Sequence, residues 1–146
     1  MFRTVLVAID GSDHSFRALD AAIDVALRYS ARLMVLHVVP PAFLPQPGDE
    51  EGEPENLDAP TEYMHFRQKG RQLMEEATAR AASEGYAAVT PEVVVGDPAE
   101  EIVARSKSQD LVVVGSRGWG AEPRLPQGSV AHKVVQLATS PCLVIK

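Results

Sequence analysis

Residues 112–135 read VVVGSRGWGAEPRLPQGSVAHKVV. A valine run ends at Gly115, a loop with further glycines follows, and Gly128-Ser129 opens a segment with Val130, Val134 and Leu137 on one side. This is a strand, a glycine-rich loop and a helix. The strand, Leu111 to Val114, is apolar on both faces, so it belongs in a parallel sheet covered by helices on both sides.

Working outward, the same alternation recurs. Thr4 to Ile9 (TVLVAI) is a β-branched run stopped by the turn cluster Asp10-Gly11-Ser12. Phe16, Leu19, Ile23 and Leu27 then mark one helix face, with Ser12 or Asp13 as N-cap. Arg32 to Val39 is a second strand, ended by Pro40-Pro41. Phe66, Gly70, Leu73, Ala77 and Ala81 line a second helix, with Gly85 as its C-cap. Ala88 to Val95 is a third strand; Pro91 inside it has no N–H to give a ladder, so it belongs at a sheet edge. Asp97-Pro98-Ala99-Glu100 supplies an N-cap, an N1 proline and an N3 glutamate for a short helix that turns Ile102 and Val103 inward. After the quoted stretch, Ser140-Pro141 breaks the chain and Cys142 to Ile145 forms the last strand. The reading is a single α/β domain, a doubly wound parallel sheet of five strands with four helices.

Composition narrows the functions. The chain has 146 residues, 45% of them apolar, enough for one substantial core. Lys and Arg number 14 against 20 Asp and Glu, a net charge of −6, which argues against nucleic-acid binding. Six of those acids (Asp49, Glu50, Glu51, Glu53, Glu55 and Asp58) lie between Ala42 and Pro60 with no Lys or Arg among them. Removing them from the 20 leaves 14 acids against 14 bases, so the body is neutral and can hold an anion locally. Six of the 11 prolines fall in or beside the same stretch, which reads as a mobile acidic surface loop, either a lid or partner-binding arm or a plain solvated insertion. One cysteine excludes an internal disulfide and a multi-cysteine metal site. No apolar run is long enough to span a bilayer, and the run before Asp10 is too short for a secretory signal, so a cytoplasmic location and no membrane partner are expected.

Parallel sheets bind ligands beyond the carboxyl ends of their strands, where the winding reverses. Two loops belong there if the first and fourth strands are neighbours: Asp10-Gly11-Ser12, and Gly115-Ser116-Arg117-Gly118 with its continuation to Gly128-Ser129. Glycines permit positive φ and close approach of a ligand to the main chain. Gly128-Ser129 stands at a helix N-terminus, where free N–H groups suit phosphate. Arg117 and Lys133 are candidates to add charge, and the Asp10 carboxylate suits ribose hydroxyls, away from phosphates. Taken singly, each has a plainer reading: a flexible loop, a turn residue, a helix start. Cys142 reads as a small buried hydrophobe, and His37 as a strand residue whose ring finds a local partner. His14, His65 and His132 show no metal spacing, and no Ser-His-Asp set can be placed together. No catalytic base is evident.

Together these residues resemble the universal stress protein family, over nearly the whole chain apart from the Ala42–Pro60 loop. The resemblance rests on VLVAIDGSDHSFRALDAA, on LHVV, on the ending SPCLVIK, and on the nucleotide motif met in full at Gly115, Gly118, Gly128 and Ser129. It implies the adenine nucleotide alpha-hydrolase-like fold with strand order 3-2-1-4-5. In the ATP-binding branch, Asp10 contacts the nucleoside and the main chain at Val38 contacts adenine. Gly115, Gly118, Gly128 and Ser129 wrap ribose and phosphates, with Val114, Arg117 and Val130 beside them. The implied ligand is ATP, or AMP or ADP, with any Mg²⁺ held through phosphate oxygens. The resemblance also implies a homodimer through Cys142–Ile145, an edge strand wholly apolar in sequence. An unidentified protein partner would read the nucleotide state.

Three functions compete. One is an ATP-binding stress-response regulator with little or no hydrolysis. A second is a slow adenine-nucleotide hydrolase; adenylating relatives of that architecture carry Ser-Gly-Gly-x-Asp-Ser after the first strand, where this chain has Asp-Gly-Ser-Asp-His-Ser. A third is a nucleotide-free interaction module, a branch that lacks the glycine motif. Departures from the family pattern are Pro123 and Pro126 inside the glycine loop, and Trp119, which stacks on a ligand or partner or packs on the neighbouring loop.

Overall fold

Five apolar runs pair edge to edge because each has β-branched residues and a turn signal at its end. The computed structural model describes residues 1–41, 62–118 and 128–146. The acidic stretch 42–60 and Trp119, Pro123 and Pro126 lie outside the described residues. The strands are β1 (Thr4–Ala8), β2 (Arg32–Val39), β3 (Val89–Val95), β4 (Leu111–Gly115) and β5 (Cys142–Ile145). The helices are α1 (Asp13–Tyr29), α2 (Glu62–Ser83), α3 (Pro98–Ser106) and α4 (Ser129–Leu137). The sheet order is β3-β2-β1-β4-β5 and every pair is parallel, the architecture and order expected.

The sheet has a core on each face. Val5, Val7, Leu33, Val35, Leu111 and Val113 pack under α1 and α2, while Leu6, Leu36, Val38, Val112 and Val114 pack under α3 and α4. That alternation within β1, β2 and β4 is why the central strands read as apolar throughout.

Pro91 sits on β3, which pairs only with β2, so the edge assignment holds. The Gly96 N–H donates to the Val39 carbonyl, so even-numbered residues of β3 aim their polar groups at β2. Alternation then turns Pro91, Val93 and Val95 outward, and the missing proline N–H costs the ladder nothing.

The helix ends follow local chemistry. Ser12, rather than Asp13, caps α1 by accepting from the Ser15 N–H at 3.2 Å. Asp97 caps α3 by accepting from the Glu100 N–H at 3.0 Å. Past α2, Gly85 has φ +89°, and the N–H groups of Gly85 and Tyr86 close back on the carbonyls of Ala82 and Ala81. This is a Schellman motif. The same closure ends α1, but there Ser30 takes the left-handed position at φ 51°.

Two helix faces depart from the sequence reading at their C-terminal ends. Leu27 is 40% exposed and Leu137 61% exposed. The buried stripe of α1 centres on Ala18, Ala22 and Ala26, and that of α4 runs through Ala131 and Val134 toward Ala138. Leu19, Ile23 and Val134 are buried as expected, and the alanines beside them let the helix backbone approach the sheet, which leaves Leu27 and Leu137 at the margin.

On the other face, Arg105 of α3 clamps Glu92 of β3 at 2.6 Å and Glu101 at 2.6 Å. The hydrogen bond from Arg105 holds the Glu92 carboxyl below the usual carboxylate range. A depressed folded-state pKa adds stability above the unfolded value, and that stability is lost as pH falls through the folded value.

Two outcomes follow for unfolding experiments. Ser30→Gly relieves the left-handed strain and stabilises the fold by about 1 kcal/mol, read as a higher denaturant midpoint with unchanged slope. Glu92→Gln is less stable than wild type at neutral pH. The gap closes as pH drops below the ordinary glutamate range, because the wild-type carboxylate is then protonated as well.

Candidate functional site

β1 and β4 lie side by side and both end at the same rim. Beyond their carboxyl ends, with the end of β2 and the start of α4, lies a cleft of about 420 Å³, within the usual size of small-molecule sites. All nine residues singled out in the sequence line it: Asp10, Val38, Val114, Gly115, Arg117, Gly118, Gly128, Ser129 and Val130. Lys133 does not; it is exposed on the outer side of α4.

Asp10 follows β1 in an Asx turn. Its Oδ1 accepts from the Ser12 N–H at 2.9 Å. Gly118 lies directly against its Oδ2, where a Cβ would collide. A Cβ on Gly115 would come within 2.8 Å of the His14 main chain, and one on Gly128 within 3.2 Å of the Ser116 carbonyl oxygen. None of the three has positive φ; among the described glycines only Gly11 and Gly85 do. Of the two properties read for this motif's glycines, positive φ is not used, and close approach is. Its glycines are required because two loops and a helix start touch one another there.

Ser116 ties the rim together. Its N–H donates to the Ile145 carbonyl at 2.7 Å, and its carbonyl accepts from the Gly128 N–H. Its hydroxyl lies 3.1 Å from His14 Nδ1. Nothing local pairs residues 102 positions apart; the β1–β4 adjacency does so.

The start of α4 supplies donors. Gly128 is its N-cap and offers no side-chain bond. The His132 N–H closes the first turn on the Gly128 carbonyl. Ser129, Val130 and Ala131 line the cleft, and N–H groups at these first positions have no intrahelical acceptor.

Other residues that were not singled out as site residues also form the wall. Phe66 and Lys69 reach the cleft from α2, and His37 from β2. Phe66 carried a signal, as a member of the predicted inner face; Lys69 carried none. The buried His37 ring does find a local partner, Nδ1–H donating to the Ile9 carbonyl at 2.8 Å. Burial pushes its pKa down and Lys69 adds to that, against the Ile9 bond and Asp10. Gly70 lets α2 pack close here, since a Cβ would sit 3.3 Å from the ring.

Cys142 is half-buried on β5 and burial raises its thiol pKa, which makes it unreactive. Among the described residues no cluster of three His, Cys, Asp or Glu could hold a metal. No described helix is long and apolar enough to cross a membrane.

Known proteins share this plan. The universal stress protein family profile matches residues 1–146. The universal stress protein YxiE of Bacillus subtilis is 37% identical, with both chains covered in full. The structure of universal stress protein UspA from Lactobacillus plantarum superposes with TM-score 0.80 at 25% identity, covering 99% of this chain and 98% of that one. A universal stress protein solved in complex with cAMP superposes with TM-score 0.74 at 28% identity, covering 99% and 97%. With the family profile matched over residues 1–146 and a full-length relative at 37% identity, the chain belongs to the universal stress protein family.

Proposed function

We propose that the cleft binds an adenine nucleotide, ATP in the first place, and that the protein is a stress-response regulator read through its nucleotide state. The observation that carries this reading is the α4 N-terminus, whose first N–H groups lack a side-chain cap and line the cleft. Main-chain donors to a charged acceptor contribute roughly 1.5–3 kcal/mol each, so two or three of them hold a phosphate tail in a neutral body. Gly115, Gly118, Gly128 and Ser129 shape that end, with Val130 and Arg117 beside it. Asp10 serves the ribose. Val38 and Val114 form an apolar wall for the base, with the Val38 main chain available to its edge. AMP and ADP would fit the same wall, and Mg²⁺ would arrive on the phosphates, because the lining among the described residues has no carboxylate pair to hold it. A relative's cAMP complex supports a nucleoside monophosphate in this geometry.

Among the described residues Asp10 is the one carboxylate lining the cleft, and it is already engaged with the Ser12 N–H, so the reading includes slow or no hydrolysis. The reading includes a homodimer through Cys142–Ile145, a protein partner that reads the nucleotide state, and a cytoplasmic location, where nucleotide is supplied.

Ser129→Asp tests the cradle. An acid at the first helical position favours the helix dipole, so thermal stability is kept or raised. ATP affinity by calorimetry falls about tenfold or more, because the new carboxylate competes with phosphate for the same N–H groups. Unchanged affinity would refute the cradle. Purified protein turns over ATP far below about 10 per second, and enzyme-like turnover would overturn the regulatory reading. Leu143→Arg on β5 converts the dimer to monomer in light scattering while leaving nucleotide affinity in place.

A further inference from the structure

We propose that the groove between α2 and the edge strand β3 is a docking site for an extended, acidic segment of a partner protein, bound as an added strand. The proposal is independent of the nucleotide cleft. The groove is walled by Arg67, Arg71 and Met74 of α2 and by Pro91, Val93 and Val95 of β3.

Three observations converge on it. Val93 and Val95 are 42% and 43% exposed, large apolar side chains on the α2 face of the outer strand. The Val93 side chain is placed on that face by Gly70, whose Cβ would sit 3.2 Å from it. The main-chain polar groups of Val93 and Val95 point away from β2, by the alternation fixed at Gly96. They offer a second strand its hydrogen bonds, beginning just past the proline.

Charge selects the partner. Arg67 and Arg71 are exposed, stand one turn apart on α2, and enter none of the ion pairs among the described residues. Like charges at that spacing oppose each other on a helix. No carboxylate lines the groove among the described residues, because Glu92 faces α3 and is held by Arg105. A strand with acidic and aliphatic side chains on its α2 face would meet both arginines and cover both valines. A nucleic acid fits poorly, because the chain carries a net charge of −6 and the groove offers only two cations.

The probe is a short labelled peptide alternating glutamate and valine, titrated into the full chain without nucleotide and followed by anisotropy. The expected result is saturable binding, weakened by salt, and weakened about tenfold or more by Arg67→Glu with Arg71→Glu. The same peptide N-methylated at alternate amides binds weakly when the blocked set faces β3, an arm that needs no variant. Equal binding of the methylated peptides would overturn strand addition, and equal binding of a lysine–valine peptide would overturn charge selection. A variant with Asp49, Glu50, Glu51, Glu53, Glu55 and Asp58 changed to their amides binds the probe as wild type does. Tighter binding by that variant would mean that the chain's own acids occupy the groove, and would overturn an external partner.

Discussion

The rim of this protein depends on two backbones touching where β4 ends and α1 begins. At Gly115 a methyl group would press into the His14 main chain, and at Gly118 into the Asp10 carboxylate. Because nothing stands between them, the β1 turn and the β4 loop close to contact and Ser116 comes within reach of His14, Ile145 and Gly128. That contact orients the Asp10 side chain and the first turn of α4 around one cleft. A side chain at either glycine would separate the two loops before any ligand came into play.

Much of the fold was legible because its signals are local. The proline at position 91, the Asp97 cap, the Gly85 stop and the valine runs each act within a few residues, and each appears where it was read. The helix faces were read less well for one shared reason. Leu19, Ile23 and Val134 are buried as read, while Leu27 and Leu137, at the helix ends, are exposed because alanines beside them carry part of the contact. The nine residues singled out in the sequence share one cleft, and of the two properties read for the motif's glycines it is close approach, not positive φ, that their backbone shows. Lys69 and the Ser116–His14 pair were beyond sequence reasoning, since both arise from elements brought together only by the tertiary fold.

The Asp10 carboxylate accepts an N–H from Ser12 and lies against Gly118, and the uncapped start of α4 opens on the same cleft. Burial pushes the His37 pKa down and Lys69 pushes it further, against the Ile9 bond and Asp10. Outside the acidic stretch the formal charges of the chain cancel.

The two edges of the sheet solve the same problem differently. On β3 the outward positions are 89, 91, 93 and 95, and the proline at 91 removes one donor from the middle of that row. On β5, the Val112 N–H bonds the Pro141 carbonyl and the Ser116 N–H bonds the Ile145 carbonyl. Cys142 and Val144 therefore turn their polar groups outward, with no proline or charge in the strand to discourage pairing. An undefended apolar edge persists in a stable protein when it is regularly covered, and a strand this short is covered most simply by an identical one across a two-fold axis. The β5 edge thus differs from β3, where the row of outward groups is interrupted by proline and flanked by Arg67 and Arg71.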